Sequence, residues 1–170
     1  MRSGVRLGID VGKARIGVAR CDLHGMLATP LETVARDHRG SDDIARILVL
    51  AEEVEAVEFV VGLPLALSGQ RTLSTEDAAE FAQRLADAVV PRTVRLVDER
   101  LSTVSAQSQL HQAGRNTKQS RSVIDQAAAV VILQHALDTE RALGDAPGTV
   151  VASHPADESA DEPTDEKGHA

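Results

Sequence analysis

The segment from Arg6 to Gly17, RLGIDVGKARIG, constrains this chain more than any other. Leu7, Ile9 and Val11 alternate with Arg6, Gly8, Asp10 and Gly12, the period of a strand with one apolar face, and Asp10 falls on the opposite face. A break at Gly12-Lys13, followed by the run of Ile16, Val18 and Ala19, predicts a hairpin. A carboxylate in mid-strand needs a partner or a metal, because burying it alone costs on the order of several kcal/mol. The alternative is that Asp10 starts the turn through its own side chain.

At 170 residues and 42% hydrophobic content the chain is long enough for one domain with a sizeable core. Its single cysteine, Cys21, excludes an internal disulfide. The first thirty residues lack a secretory pattern, and no stretch approaches the roughly 18 uncharged residues of a membrane helix. No membrane association and a cytoplasmic location are therefore expected. Phe59 and Phe81 are the only aromatic residues and both sit in apolar patterns, which disfavours a module that stacks single-stranded bases on rings.

The net charge of −8 is unevenly spread. From Ala152 onward six acids face one lysine. Met1–Arg20 carries five bases against Asp10, and Arg92–Arg121 six bases against Asp98 and Glu99, whereas Glu32–Glu58 is acidic. If the two basic segments meet, the molecule has one positive face despite its acidic total.

A third strand is expected within Gly25–Val34, at an edge because of Pro30. Ser41 is placed to cap a helix from Asp42 to about Val54, with Ile44, Ile47, Leu48 and Ala51 on one face and Asp43 off it. Ala56–Gly62 reads as a buried parallel strand, 65–72 as a loop, 74–89 as a helix closed by Pro91, and Thr93–Val97 as a further strand. The result is an α/β fold with a mixed five-stranded sheet, a three-stranded antiparallel meander plus two parallel crossover strands, flanked by helices. Functional crevices in such sheets lie beyond the carboxyl ends of the parallel strands. Ser102 starts a helix ended by Gly114, and a last helix runs from about Arg121 to Leu143 with Ile124, Ala127, Ala128, Val131, Ile132, His135 and Ala136 as its apolar stripe. Asp125 stands roughly 100° from Ile124, beside that stripe. From Asp145 the chain has the composition of a disordered acidic tail, which gives domains of 1–144 and 145–170.

Asp10, Glu99 and Asp125 are the acids at exposed places, and this topology allows them to converge. Two carboxylates about 4 Å apart repel by roughly 4 kcal/mol at an effective dielectric near 20. Three such groups need cations, and hard oxygen ligands suit Mg²⁺ or Mn²⁺, which in pairs can drive phosphodiester hydrolysis. Lys13, Arg15, Arg100, Arg115, Lys118 and Arg121 are the candidate phosphate clamp on a nucleic acid. Asp98 is a weaker candidate ligand, because neighbours in extended chain point oppositely. The histidines show no paired spacing that suggests zinc.

The runs GIDVGKARIGVA, VVGLPLALSG, DERLST and IDQAAAVVILQ resemble, in order and spacing, the four signature segments of the YqgF or RuvX family, over about Val5–Leu137. That resemblance implies an RNase H-like fold with Asp10, Glu99 and Asp125 as a catalytic triad holding divalent metal. It further implies an endonuclease that processes the 5′ end of the small-subunit (16S) ribosomal RNA precursor, as a monomer or weak homodimer acting on precursor RNA or the pre-ribosomal small subunit. Val11, Cys21 and Ala66 depart from residues common in the family and bear on substrate contacts rather than on metal. Other readings are a Holliday junction resolvase acting on branched DNA, a non-catalytic ribosome-assembly factor, and a nucleotide binder of the actin type, for which the chain is short.

Overall fold

The computed structural model describes residues 1–100 and 117–154, of which 117–120 are described as backbone only. The alternating segment pairs as a hairpin. Strands β1 (Val5–Val11) and β2 (Arg15–Cys21) run antiparallel with Asp10 opposite Gly17. β3 (Ala28–Ala35) completes the meander at the sheet edge, and the register shift between Val18 and Ala19 falls where Ala19 meets Pro30, a residue without an N–H to donate.

Helix α1 (Asp42–Glu53) leads into β4 (Ala56–Leu63), which lies parallel to β1. Helix α2 (Leu73–Val89) then leads into β5 (Thr93–Asp98), parallel to β4. A reciprocal pair of Thr72 and Thr75 caps α2. Ser41 does not cap α1 with its side chain. Its expected role is taken by Asp37, whose carboxylate accepts the N–H groups of Arg39, Gly40 and Asp42. Asp43, expected on the solvent side, is 1% exposed. It accepts the N–H of Asp37 and lies near Arg36 and Arg84, partners distant enough in sequence that helical periodicity alone could not reveal them.

The sheet has six strands, not five, in the order β3-β2-β1-β4-β5-β6. The sixth, β6 (Thr149–Val150), comes from the segment expected to be a disordered tail. It pairs antiparallel with β5, and Val151 donates its N–H to the Val94 carbonyl, so a short β-branched run closes an otherwise open edge. Residues 155–170, and the helix expected over 102–113, lie outside the described residues. Among the described residues no helix is long and apolar enough to cross a membrane.

The two sheet faces are packed unlike one another. Leu7, Ile9, Ile16, Val18, Phe59 and Val61 fill one face against Ile44, Ile47, Phe81 and Leu85 of α1 and α2. The other face offers Gly8, Gly17, Ala19, Cys21 and Ala28 to helix α3 (Thr117–Leu143). The buried residues of α3 are Ala129, Ile132, Leu133, Ala136, Leu137 and Glu140, a stripe one residue round from the expected one. Asp125 lies at i−4 from Ala129 and i−7 from Ile132, and therefore within the sheet-facing seam rather than beside it.

That seam depends on missing side chains. A Cβ on Gly8 would lie 2.6 Å from the Leu133 Cβ and 2.8 Å from the Ala129 carbonyl, and one on Gly17 would collide with the Asp125 carbonyl. Gly17→Ala is therefore expected to lift α3 and cost about 1–3 kcal/mol, as overpacking does. Chemical denaturation of the full chain checks this, with a lowered midpoint at unchanged slope.

Candidate functional site

Asp10 is the penultimate residue of β1 and points to the α3 face. Its neighbours across the sheet are glycines on both sides. Gly17 of β2 pairs with it, and Gly62 of β4 is one residue beyond the Ile9–Val61 pair. Each glycine makes room for another acid. The backbone of Asp125 occupies the space over Gly17, and the Glu99 carboxylate lies over Gly62. Glu99 follows the last residue of β5, and its N–H donates to the Leu63 carbonyl at 3.2 Å, which fixes it beyond the carboxyl end of that strand.

The three acids share one electrostatic neighbourhood. Burial, reinforced by the Asp125 charge, raises the Asp10 carboxyl from 3.8 to about 6. Burial, with the charges of Asp10 and Asp98, raises Glu99 from 4.5 to about 7. Asp10 has no hydrogen-bond or ion-pair partner among the described residues. Asp125 does, because Arg15 Nε donates to its Oδ2 at 2.8 Å. Among the described residues no group of three His, Cys, Asp or Glu side chains is gathered into a ready cage, and Arg15 drawing on Asp125 is one visible reason. The donor set nonetheless fits a hard divalent cation: three carboxylates from three elements, one of them largely buried without a counter-charge.

The expected phosphate clamp is only partly as predicted. Lys13 and Arg121 are exposed at this end of the molecule. Arg15 is engaged with Asp125, and Arg100 is engaged with both oxygens of Asp98 at 2.6–3.1 Å. That pairing holds the Asp98 carboxyl below its ordinary range and turns it away from the ligand role, leaving Glu99 over Gly62. Arg115 and the side chain of Lys118 lie outside the described residues. Several described arginines of the two basic segments are neutralised by acids of the chain. Arg2 and Arg6 are bound into a buried cluster with Glu58 and Glu140, while Arg92 and Arg95 pair with Glu52 and Glu58.

Sequence reasoning missed the brace behind the hairpin turn. Arg36 Nη1 donates to the Gly12 carbonyl at 2.8 Å, both Nη groups hold Asp77 of α2, and the guanidinium lies 5.5 Å from the Phe81 ring centroid. His38 Nε2 lies 2.7 Å from the Lys13 carbonyl. The glycine signal could have been found, since Gly8 and Gly17 fall on one face of an otherwise well-filled hairpin, the mark of a close backbone approach.

The raised carboxyls make the site a cost to the metal-free fold. Asp10 and Glu99 bind protons more tightly folded than unfolded, so each withdraws stability as pH rises from about 4 to about 7. Asp10→Asn is expected to match the parent near pH 4 and to exceed it by about 2 kcal/mol near pH 8 in chelator. Mn²⁺ added near pH 8 should raise the melting temperature of the parent far more than that of the variant. Denaturation at the two pH values and thermal melts measure both.

Comparisons with known proteins place the chain among relatives. A family described as "RuvX: Holliday junction resolvase" matches residues 4–139. A protein of Clavibacter sepedonicus bearing the name "Putative pre-16S rRNA nuclease" is 64% identical over 151 residues, covering 89% of this chain and 93% of that one. A Nocardioides protein of the same name is 58% identical over 156 residues, covering 89% and 98%. Thermus thermophilus RuvC shares the fold, with a TM-score of 0.51 at 17% identity over 85% of this chain and 99% of that one. The match to residues 4–139, together with relatives this similar along almost their full length, means that the chain belongs to the RuvX family.

Proposed function

We propose that this protein is a metal-dependent endonuclease that hydrolyses a phosphodiester bond in the precursor of 16S ribosomal RNA, processing its 5′ end in the cytoplasm. The observation that supports the reading is the nearness of Asp10, Glu99 and Asp125 around the carboxyl ends of β1 and β5, each acid raising or seated beside another. The names of the relatives supply the substrate.

Asp10, Glu99 and Asp125 would hold Mg²⁺ or Mn²⁺. When bound, such ions lower the pKa of a water and stabilise charge on the leaving oxygen. The chain's own contribution is positional. The Glu99 backbone, just beyond β5, is tied to Leu63, and α3 is seated on glycine, so Asp10 and Asp125 are presented from a strand and a helix and Glu99 from a position fixed by the neighbouring strand. Arg36 holds the Gly12 carbonyl and so fixes the turn that follows Asp10. Lys13 and Arg121, exposed at the rim, are placed to meet backbone phosphates, contacts that position a nucleic acid without reading its sequence.

Branched DNA is the second reading, favoured by the description of the family. The two are separated by offering the protein precursor 16S RNA and a four-way DNA junction side by side with Mn²⁺. Cleavage of the RNA at its 5′ side and not of the junction is expected. Asp10→Asn, Glu99→Gln and Asp125→Asn should each lower the rate by more than about 100-fold, beyond what losing even an outer partner of a metal ligand costs. Circular dichroism should remain that of the parent.

A further inference from the structure

Arg15, like Arg71 and Arg95, meets its acid through Nε alone, and unlike them it does so on an acid of the candidate site. Arg2 reaches both oxygens of Glu58, Arg36 both oxygens of Asp77 and Arg46 both oxygens of Glu32, the two-pronged contact that fixes an arginine most firmly. Arg15 uses one prong, Nε to the Asp125 Oδ2 at 2.8 Å. Its Nη groups have no partner among the described residues. Its side chain is 37% exposed against 18% for Asp125, which puts the guanidinium on the solvent side of the acid.

The base of this side chain is fixed while its end is not. Arg15 opens β2 opposite Ala35, its carbonyl accepts the Gly12 N–H at 2.9 Å, and Arg36 braces the same turn. A flexible side chain on a rigid footing, with one prong on an acid and the rest of its fork at the rim, suits exchange between two anions.

We propose that Arg15 is a placeholder cation: it neutralises Asp125 while the acid cluster is metal-free, and it passes to a backbone phosphate of the nucleic acid once Asp125 is taken up as a metal ligand. The inference rests on the metal-dependent reading above. Arg15 is thus a positioning residue for Asp125 in one state and a substrate contact in the other. The exchange couples the two ligands through one side chain, and the coupling must be the same in both directions. Arg15 opposes metal alone and favours metal with nucleic acid.

The test titrates Mn²⁺ into the full chain by calorimetry, for the parent, Arg15→Gln and Arg15→Lys. Each is measured alone and with a 2′-O-methyl RNA hairpin that gel electrophoresis shows to stay intact through the titration. Arg15→Gln should bind Mn²⁺ alone about two- to fivefold more tightly than the parent, the range an ion pair this exposed is worth. It should also bind the hairpin more weakly, and Mn²⁺ should no longer strengthen hairpin binding as it does in the parent. Arg15→Lys, which keeps the charge and the fold should the glutamine variant melt early, should fall between them. Mn²⁺ affinity equal to or weaker than the parent's in both variants, at an unchanged melting temperature, would overturn the exchange and make Arg15 a fixed support for Asp125. If the parent itself takes up no Mn²⁺, the metal-dependent reading falls and this one with it. If the parent binds Mn²⁺ and cleaves RNA while Arg15→Gln binds no more tightly, only the exchange falls.

Discussion

The seat of α3 on a glycine-lined sheet face is the constraint on which the rest of this structure depends. A helix packed over ordinary β side chains stands far enough away that an acid on its inner face could not influence one on the strand beneath. Here Gly8 and Gly17 let the backbone of α3 approach the sheet, and the Asp125 charge is felt by Asp10. Gly62 does the same for the Glu99 carboxylate. Ile132, Leu133 and Leu137, each worth about 1.5–3 kcal/mol when fully buried, hold the helix down against the repulsion its first turns create. Catalytic geometry and helix packing are therefore one problem in this fold, solved by the same small residues.

The opposite face supplies stiffness. Phe59, Phe81, Ile47 and Leu85 give α1 and α2 a conventional apolar bed, and Arg36 reaches from that layer to the Gly12 carbonyl while holding Asp77 of α2. The hairpin turn is thus held from the α2 side, and Asp10 from below by the sheet. The turn backbone is held while the Arg15 side chain above it is partly exposed, which is the division that a site exchanging cations requires.

Much of this architecture was legible in the sequence because it is written in local periods. The alternation around Asp10 gave the hairpin, the apolar run into Gly62 gave a parallel strand, and Pro30 marked the edge. The exact stripe of α3 was not legible, for a physical reason. Residues 123–133 are apolar nearly all round, and the polar residues that do face the sheet, Asp125, Gln126 and Glu140, are accommodated by distant partners such as Arg15, Thr33 and Arg2. The same holds for Asp43 and for Arg100, whose roles are set by tertiary neighbours. The strand at Thr149–Val150 is too short for any period to show, and only the free edge of β5 gives it a place.

The two charged clusters of this molecule obey opposite rules, and the contrast bears on function. At the far end of the sheet Glu58 and Glu140, each 3% exposed, are met by Arg2, Arg6 and Arg95 in a network with at least as many cations as acids. Burial there is compensated within the chain, and Glu140 is held below its ordinary range. At the other end Arg15 pairs with Asp125, while Asp10 and Glu99 are driven upward instead, by burial first and then by neighbouring acids. A sequence that gives the buried acids at one end of its sheet arginine partners, yet leaves the buried Asp10 carboxylate at the other without one among the described residues, has a place there that a dication would suit. Structural ion networks perturb carboxyls too, but they do so by gaining partners. The Asp10 carboxyl departs from that pattern, raised by burial and by the Asp125 charge with no side-chain partner among the described residues.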